Sequence, residues 1–361
     1  MTAVQALGAL LGAADGGNVD VPDLPDGAAW QPLLRLAGSS GLMPALWGAA
    51  RRLELLEPVP PQFVDVLGSS QGKRNHVAAV LEHSYRENAR RNADLLEQLG
   101  AVGSLFATDA LPVVALKGIG HVLRGVWPDP AERMMNDLDL LVPADRADEA
   151  HARLRTAGYA VAPGPDREAD QHHLVSLRLE HRFGAIEVHR EPLARGWTDA
   201  LPAREVIAGA QPAPGLPSVL LPTANHAAAI ALVHAYLADG AWYDRLVPLR
   251  TVYELRRLDA REQVDWSVVR AHLGRVRRRA LVDQHLVSAW KILGAPSPPT
   301  TPAVVRARLR LALDHQRWLE PVDAVTRALD AGRLRRHYGT AIGGPWRLRA
   351  HHLSRVVRRR A

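Results

Sequence analysis

The segment Asn136-Asp-Leu-Asp-Leu-Leu-Val142 places two acidic residues directly before a run of apolar residues. Side chains two residues apart in a β-strand point to the same face of the sheet. A strand over 137–142 therefore directs Asp137 and Asp139 to one face and Leu138 to the other. Adjacent carboxylates repel each other, and a bound Mg²⁺ ion relieves that repulsion. The pattern predicts a pair of metal-binding aspartates at the start of a buried strand.

A third carboxylate is expected on a neighbouring strand, because metal centres that act on phosphates use several oxygen ligands. Glu187 is the favoured residue, since Ile186-Glu-Val-His189 has the composition of a short buried strand. Glu180 and Glu191 are the alternatives. His189 shares the predicted face of Glu187, where we expect it either to orient that carboxylate or to contact a substrate.

A second element lies about 20 residues upstream of the aspartates. The apolar run 111–116 predicts a buried strand that ends at Lys117-Gly118, where a short helix over 119–126 begins. Backbone amides at such a turn can bind a phosphate, and the Lys117 ammonium would add positive charge. The alternative is that Gly118 serves only the tight turn.

The remaining pattern is mostly helical. Apolar residues at helical spacing predict short amphipathic helices over 1–56 and a long helix over 69–106, separated by a proline-rich joint at 57–62. The chain after Thr223 is again helical, with Asp265 as a predicted helix cap.

The segments between the long helix and Thr223 are predicted to contain both helices and strands. They are expected to be a loop at 127–130, a helix at 145–158, strands at 173–180 and 185–189 joined by a hairpin at 182–184, and a loop-rich stretch from 192 to 222.

These elements predict an α+β fold in which a small mixed β-sheet core is flanked by N- and C-terminal helical segments. We expect a helical segment at 1–107, the core at 108–200, and a C-terminal helical domain with a basic tail at 201–361.

The order and spacing of three motifs resemble one known family. Leu116-Lys-Gly118, a helix, Arg133-Met-Met-Asn-Asp-Leu-Asp-Leu-Leu-Val142 and Ile186-Glu-Val-His189 are similar to the uncharacterised nucleotidyltransferase family of the DNA polymerase β-like superfamily. The resemblance implies that Asp137, Asp139 and Glu187 form a catalytic metal site for Mg²⁺, or for Mn²⁺ in its place. It also implies that Gly118 contacts the phosphates of a bound nucleoside triphosphate.

The resemblance further implies transfer of a nucleoside monophosphate to an acceptor, with release of pyrophosphate. Lys117 and Arg133 are the expected triphosphate contacts, since cations there neutralise developing charge. The chain departs from the wider superfamily at Gly118-Ile119, where a serine or glycine usually follows the glycine. The alternative function is therefore a catalytically degenerate nucleotidyltransferase fold that serves as a binding protein.

The acceptor is not specified by the sequence, and a small molecule, a tRNA end and a protein hydroxyl are all compatible with it. The chain carries a net charge of +7, and residues 333–361 contain nine arginines and no acid. A basic amphipathic helix is predicted at 346–360. It would suit RNA, an acidic partner or an anionic membrane surface, or it is simply a solvated terminal helix.

Several functional classes are excluded by composition. The chain contains no cysteine, which rules out disulfides, thiolate metal sites and a cysteine nucleophile. No apolar run is long enough for a transmembrane helix, and 1–14 lacks the features of a signal peptide, so we expect a cytoplasmic protein. Among the 16 histidines, the His172-His173 pair, His226, His234 and the His351-His352 pair show no metal-ligand spacing.

Overall fold

A computed structural model of the protein describes residues 1–24, 27–57, 70–162, 172–242, 246–300 and 302–314. The predicted joint at 57–62, apart from its first residue, and the predicted basic helix at 346–360 lie outside these residues. The predicted α+β class is confirmed, since helical segments at both ends of the described chain flank a mixed sheet.

The helices fall into three groups. Those before the sheet are α1 (Ala3–Ala14), α2 (Gly27–Ser40), α3 (Met43–Arg52) and α4 (Ser70–Ala107). Those between the strands are α5 (Lys117–Leu123), α6 (Ala147–Thr156) and α7 (Ala203–Gly209). Those after the sheet are α8 (Ala224–Val233), α9 (Leu249–Glu262), α10 (Trp266–Gly274), α11 (Ala280–Leu293) and α12 (303–314).

The described residues contribute seven strands to one sheet, in the order β3-β4-β5-β2-β1-β7-β6. They are β1 (Val114–Ala115), β2 (Asp137–Leu141), β3 (Ala160–Val161), β4 (Leu177–Arg178), β5 (Ala185–His189), β6 (Gln211–Ala213) and β7 (Leu216–Leu221). The central strand β2 pairs in parallel with β5 and antiparallel with β1.

Two of the predicted strands are shorter than expected, and one predicted loop is wrong. The strand expected over 173–180 is reduced to β4, and the strand expected over 111–116 is reduced to β1. The stretch 192–222, predicted to be loop-rich because of its prolines, contains α7 and the hairpin of β6 and β7. Pro212 is tolerated because β6 is an edge strand, where a missing backbone donor costs little.

Close helix packing joins the two ends of the described chain. Helix α1 packs on α11, and Gly12 lies so close to α11 that a Cβ atom there would be 2.4 Å from the Leu293 carbonyl oxygen. Glycine permits this approach because it has no side chain. The N-terminal and C-terminal helices therefore share part of one hydrophobic core.

A buried ion-pair network reinforces that contact through α9. Arg257 donates to Asp15 from Nε at 2.6 Å and from Nη2 at 2.8 Å, and it also lies 3.4 Å from Glu132. Arg52 forms a further ion pair with Glu132. The division of the chain at residues 107 and 200 stays a prediction, since the sheet continues to β7. None of the described helices has the length and apolarity needed to cross a bilayer.

The glycine contact gives a test of the fold. We expect Gly12→Ala to destabilise the protein by about 1–3 kcal/mol, because the added methyl group overlaps backbone atoms that have little freedom to move. Gly100→Ala in α4 is the matched control, since nothing lies within 4 Å of its Cβ position. That change should raise stability by roughly 0.5–1 kcal/mol. Urea unfolding of both variants measures the difference, and equal effects would contradict the packing.

Candidate metal and nucleotide site

The pairing of β2 with β5 brings the predicted acidic residues together. Asp139 lies directly opposite Glu187 in the parallel register, and Asp137 lies opposite Ala185. Leu138, which alternates with the two aspartates, is fully buried. The three carboxylates thus belong to adjacent positions on two neighbouring strands, as the alternation in the sequence predicts.

Asp139 is held on two sides by nitrogen donors. The Lys117 ammonium and the His189 Nε2 atom each lie 2.8 Å from the same oxygen, Oδ1. Burial disfavours the charged carboxylate, but the Lys117 charge and the His189 hydrogen bond outweigh it and lower the pKa of Asp139. Both contacts therefore favour the charged form of Asp139 and fix its orientation.

The other two carboxylates retain oxygen atoms without partners. Ser176 Oγ donates to Glu187 Oε1 at 2.9 Å, whereas Glu187 Oε2 only approaches His173 at 3.7 Å and His189 at 3.8 Å. Asp137 has no hydrogen-bond or ion-pair partner among the described residues, and the second oxygen of Asp139 accepts no hydrogen bond there either.

Asp137 differs from Asp139 in its titration. Asp137 is exposed at the start of β2, yet partial removal of water by the surrounding protein, followed by the charges of Asp139 and Glu187, raises the pKa of Asp137 to about 6. A carboxylate that is crowded by two others gains most from a nearby cation, because a cation removes the repulsion that raises its pKa.

The donor set fits a hard divalent cation. The unpartnered atoms of Asp137, Asp139 and Glu187 are all carboxylate oxygens, which Mg²⁺ and Mn²⁺ prefer. Lys117 and His189 donate to one oxygen of Asp139, and Ser176 donates to one oxygen of Glu187. These contacts orient the two carboxylates and leave their second oxygens for a metal ion. Asp139, Glu187 and His189 each offer an atom within 4.8 Å of the others, whereas Asp137 lies outside this compact group.

The backbone at the start of α5 has an unexpected conformation. The left-handed backbone falls on Lys117, with φ of 47°, rather than on Gly118. A non-glycine residue in this conformation carries strain that the surrounding structure must support. Gly118 has a different role, because a Cβ atom there would lie 3.1 Å from Met135 and 3.2 Å from Arg133.

Arg133 lies near Gly118 but is committed to a protein partner. Its Nε atom donates to Glu254 Oε1 on α9 at 2.6 Å, and both side chains are buried. Burial opposes ionisation of Glu254, yet the Arg133 charge lowers the pKa of that carboxyl to about 2. The predicted contact of Arg133 with a triphosphate remains a prediction, and it would have to be made by the N–H groups that Glu254 and the Met134 carbonyl leave free.

The structure adds residues that the sequence did not indicate. His173, which was set aside for lack of ligand spacing, forms an isolated bridge with His189 and lies beside Glu187. His172 packs edge-on against His173 and at a tilt against His189, and burial together with these neighbours lowers the pKa of His172 to about 3. The sequence does not show that His172 and His173 belong to the site, because only the pairing of His173 with His189 brings them there.

The alternative carboxylates do not join the site. Glu180 is in the turn after β4, where its side chain is 87% exposed and approaches His181. Glu191 accepts a hydrogen bond from the backbone amide of Ala203 and so fixes the start of α7. Glu187 is the carboxylate whose position matches the predicted third ligand.

A cavity of about 860 Å³ borders the same region. Met134 and Asn136, in the segment that leads into β2, form one wall, and the others come from α1, α2, α9 and residues between α8 and α9. Arg250 of α9 lines it and has no hydrogen-bond or ion-pair partner among the described residues. Repulsion by Arg133, followed by burial, lowers the pKa of Arg250, while Asp137 attracts it. Arg250 is thus a cation available to an anionic ligand.

Comparison with known proteins identifies the family. The family described as "Uncharacterised nucleotidyltransferase" matches residues 26–294, which is more than half of the chain. The chain belongs to this family. A search of curated proteins finds no match.

The titration of Asp137 gives a test of the carboxylate geometry in the absence of metal. A folded-state pKa of about 6 means that the native protein loses stability as pH rises from about 4 to 6, relative to a variant without this acid. We expect Asp137→Asn to gain stability over the wild type across that interval, by about 1 kcal/mol after allowing for the solvent exposure of Asp137, and to keep this advantage above pH 7.

Urea unfolding in EDTA from pH 4.5 to pH 8 measures this difference. Asp145→Asn is the matched control, since Asp145 is an exposed acid just after β2. A stability difference for Asp137→Asn that does not depend on pH, or one that Asp145→Asn reproduces, would contradict the crowded arrangement of carboxylates.

Proposed function

We propose that the protein is a metal-dependent nucleotidyltransferase that moves a nucleoside monophosphate from a nucleoside triphosphate to an acceptor hydroxyl and releases pyrophosphate. The observation that carries the proposal is the register of β2 and β5, which aligns Asp139 with Glu187 and leaves unpartnered carboxylate oxygens beside Asp137. Family membership supports the general transfer chemistry, and the metal and the acceptor are our proposal.

Asp137, Asp139 and Glu187 would hold Mg²⁺, or Mn²⁺ in its place. When bound, such ions stabilise the charge on the attacking and leaving oxygens of an in-line displacement. The acceptor oxygen forms a bond to the α-phosphorus, the bond from that phosphorus to the bridging oxygen breaks, and pyrophosphate leaves with the electron pair. Glu187 acts either as a ligand or as the base that takes the acceptor proton.

The neighbouring nitrogen donors have distinct tasks in this proposal. Lys117 and His189 keep Asp139 charged and oriented, because both donate to its Oδ1 atom. Arg133, with Gly118 beside it, offers its remaining donor atoms to the triphosphate. Arg250 would neutralise a phosphate from the cavity side, since it lines the cavity, is half-buried and has no hydrogen-bond or ion-pair partner in the described chain.

The cavity between α1, α2 and α9 is proposed to hold the organic part of a substrate. Its size lies within the range of small-molecule sites. A small molecule, a tRNA end and a protein hydroxyl remain alternative acceptors. Binding that weakens steeply with salt would favour the tRNA end, because RNA binding releases counterions. The arginine-rich tail as a contact for RNA or an acidic partner, and a cytoplasmic location, stay predictions.

The alternative function is a degenerate nucleotidyltransferase fold that binds a partner without catalysis. The residue Ile119 after Gly118 favours it, since the usual serine or glycine is missing. The presence of Asp137, Asp139 and Glu187 argues against this alternative, because crowded acids destabilise a fold that has no cation to bind. This alternative predicts that Asp137→Asn, which relieves the repulsion, leaves biological activity intact.

Thermal unfolding tests the donor site without knowledge of the acceptor. We expect Mg²⁺ with a non-hydrolysable nucleoside triphosphate to stabilise the wild type by roughly 2.7 kcal/mol at about 100 times the dissociation constant. The double variant Asp137→Asn/Asp139→Asn should lose this stabilisation, because it lacks the ligands. Comparison of the four common triphosphates then identifies the preferred donor base.

Asp145→Asn is again the matched control and should keep the full shift. Equal stabilisation of the wild type and the double variant would show that these carboxylates are not part of the nucleotide site. Absence of any shift in a well-folded wild type would favour the binding-protein alternative.

A further inference from the structure

A second group of metal-ligating side chains lies outside the carboxylate site. Glu205 of α7, His226 of α8 and His272 of α10 each offer a donor atom within 4.8 Å of the others. The two imidazole rings meet edge to face, with centroids 5.4 Å apart. Both histidines are more than 90% buried, whereas Glu205 is partly exposed.

The buried histidines have nitrogens without partners. The Nδ1 atoms of His226 and His272 are inaccessible to water and make no hydrogen bond within the described structure. A buried polar atom without a partner costs free energy, so such an atom calls for a ligand or another explanation. His272 Nδ1 faces Glu205 Oε1 at 3.5 Å, beyond hydrogen-bond distance.

The surroundings orient these side chains as ligands are oriented in metal sites. Arg275 donates to Glu205 Oε2 at 2.7 Å, which leaves Oε1 on the side of His272. The His272 ring also interacts with the backbone carbonyl of Ala200. Metal-bound histidines and carboxylates commonly have such outer contacts. Gly209 leaves room for His226, since a Cβ atom there would lie 3.3 Å from its ring.

The protonation state also suits a metal. Burial lowers the pKa of both His226 and His272, and Arg275 lowers each further. Neutral imidazoles keep the lone pair that a metal ion requires. Two imidazoles and one carboxylate form a donor set that Zn²⁺ uses, and Mg²⁺ prefers oxygen ligands alone.

We propose that Glu205, His226 and His272 form a zinc site that is separate from the carboxylate site. The partly exposed Glu205 provides the path of entry, and water completes the coordination. Zinc there would tie α7 to α8 and α10. Because α7 and α8 flank the β6–β7 hairpin in the chain, the ion would stabilise the side of the sheet that ends in β7 and the edge strand β6.

The test uses the full chain in the Asp137→Asn/Asp139→Asn/Glu187→Gln background, which removes all three acidic ligands of the carboxylate site. Metal is removed by chelation, and Zn²⁺ alone is titrated by calorimetry. We expect one strong equivalent, and we expect Co²⁺ in its place to give the intense visible bands of a four-coordinate ion. His226→Gln, His272→Gln and Glu205→Gln should each weaken zinc binding by about 100-fold or more.

His83→Gln is the matched control, since His83 is exposed on α4 and should not change the titration. Glu205→Gln keeps the test valid if the buried histidine variants fail to fold, because Glu205 lies partly at the surface. Retention of the strong equivalent in Glu205→Gln, or its absence from the background protein, would overturn the proposal. Neither result depends on nucleotide binding at the carboxylate site.

Discussion

The parallel pairing of β2 with β5 is the interaction on which the candidate site depends. A one-residue slip of that register would move every side chain of β5 to the opposite face and separate Glu187 from Asp139. The register is specified because the alternating residues Leu138 and Ile186 are buried, so a slip would expose them. The hydrophobic pattern of two short strands thereby determines the geometry of the carboxylates.

That dependence explains why much of the site was accessible from the sequence. Asp137, Asp139 and Glu187 are in strands whose alternation is local, and the boundaries of β5 agree with the predicted segment. The helical segments and the Asp265 cap were also predictable, since helical periodicity and capping act within a few residues. The fold class follows from these local patterns and is confirmed.

The remaining features arise from contacts between distant parts of the chain. The pairing of Arg133 with Glu254 spans 121 residues, and a sequence motif could not show that this arginine is shared with α9. The hairpin of β6 and β7 was obscured by its prolines, because their tolerance depends on the edge position of β6. Glu205, His226 and His272 come from three helices, so no spacing in the sequence relates them.

A crystal structure with Mn²⁺ and a non-hydrolysable nucleoside triphosphate tests the central claim most directly, because Mn²⁺ is located by its anomalous scattering. We expect a manganese peak about 2.1 Å from oxygens of Asp137 and Asp139, with Glu187 beside it and the triphosphate completing the coordination. Manganese or triphosphate bound away from these carboxylates, with the site residues well ordered, would contradict the proposed nucleotidyltransferase centre.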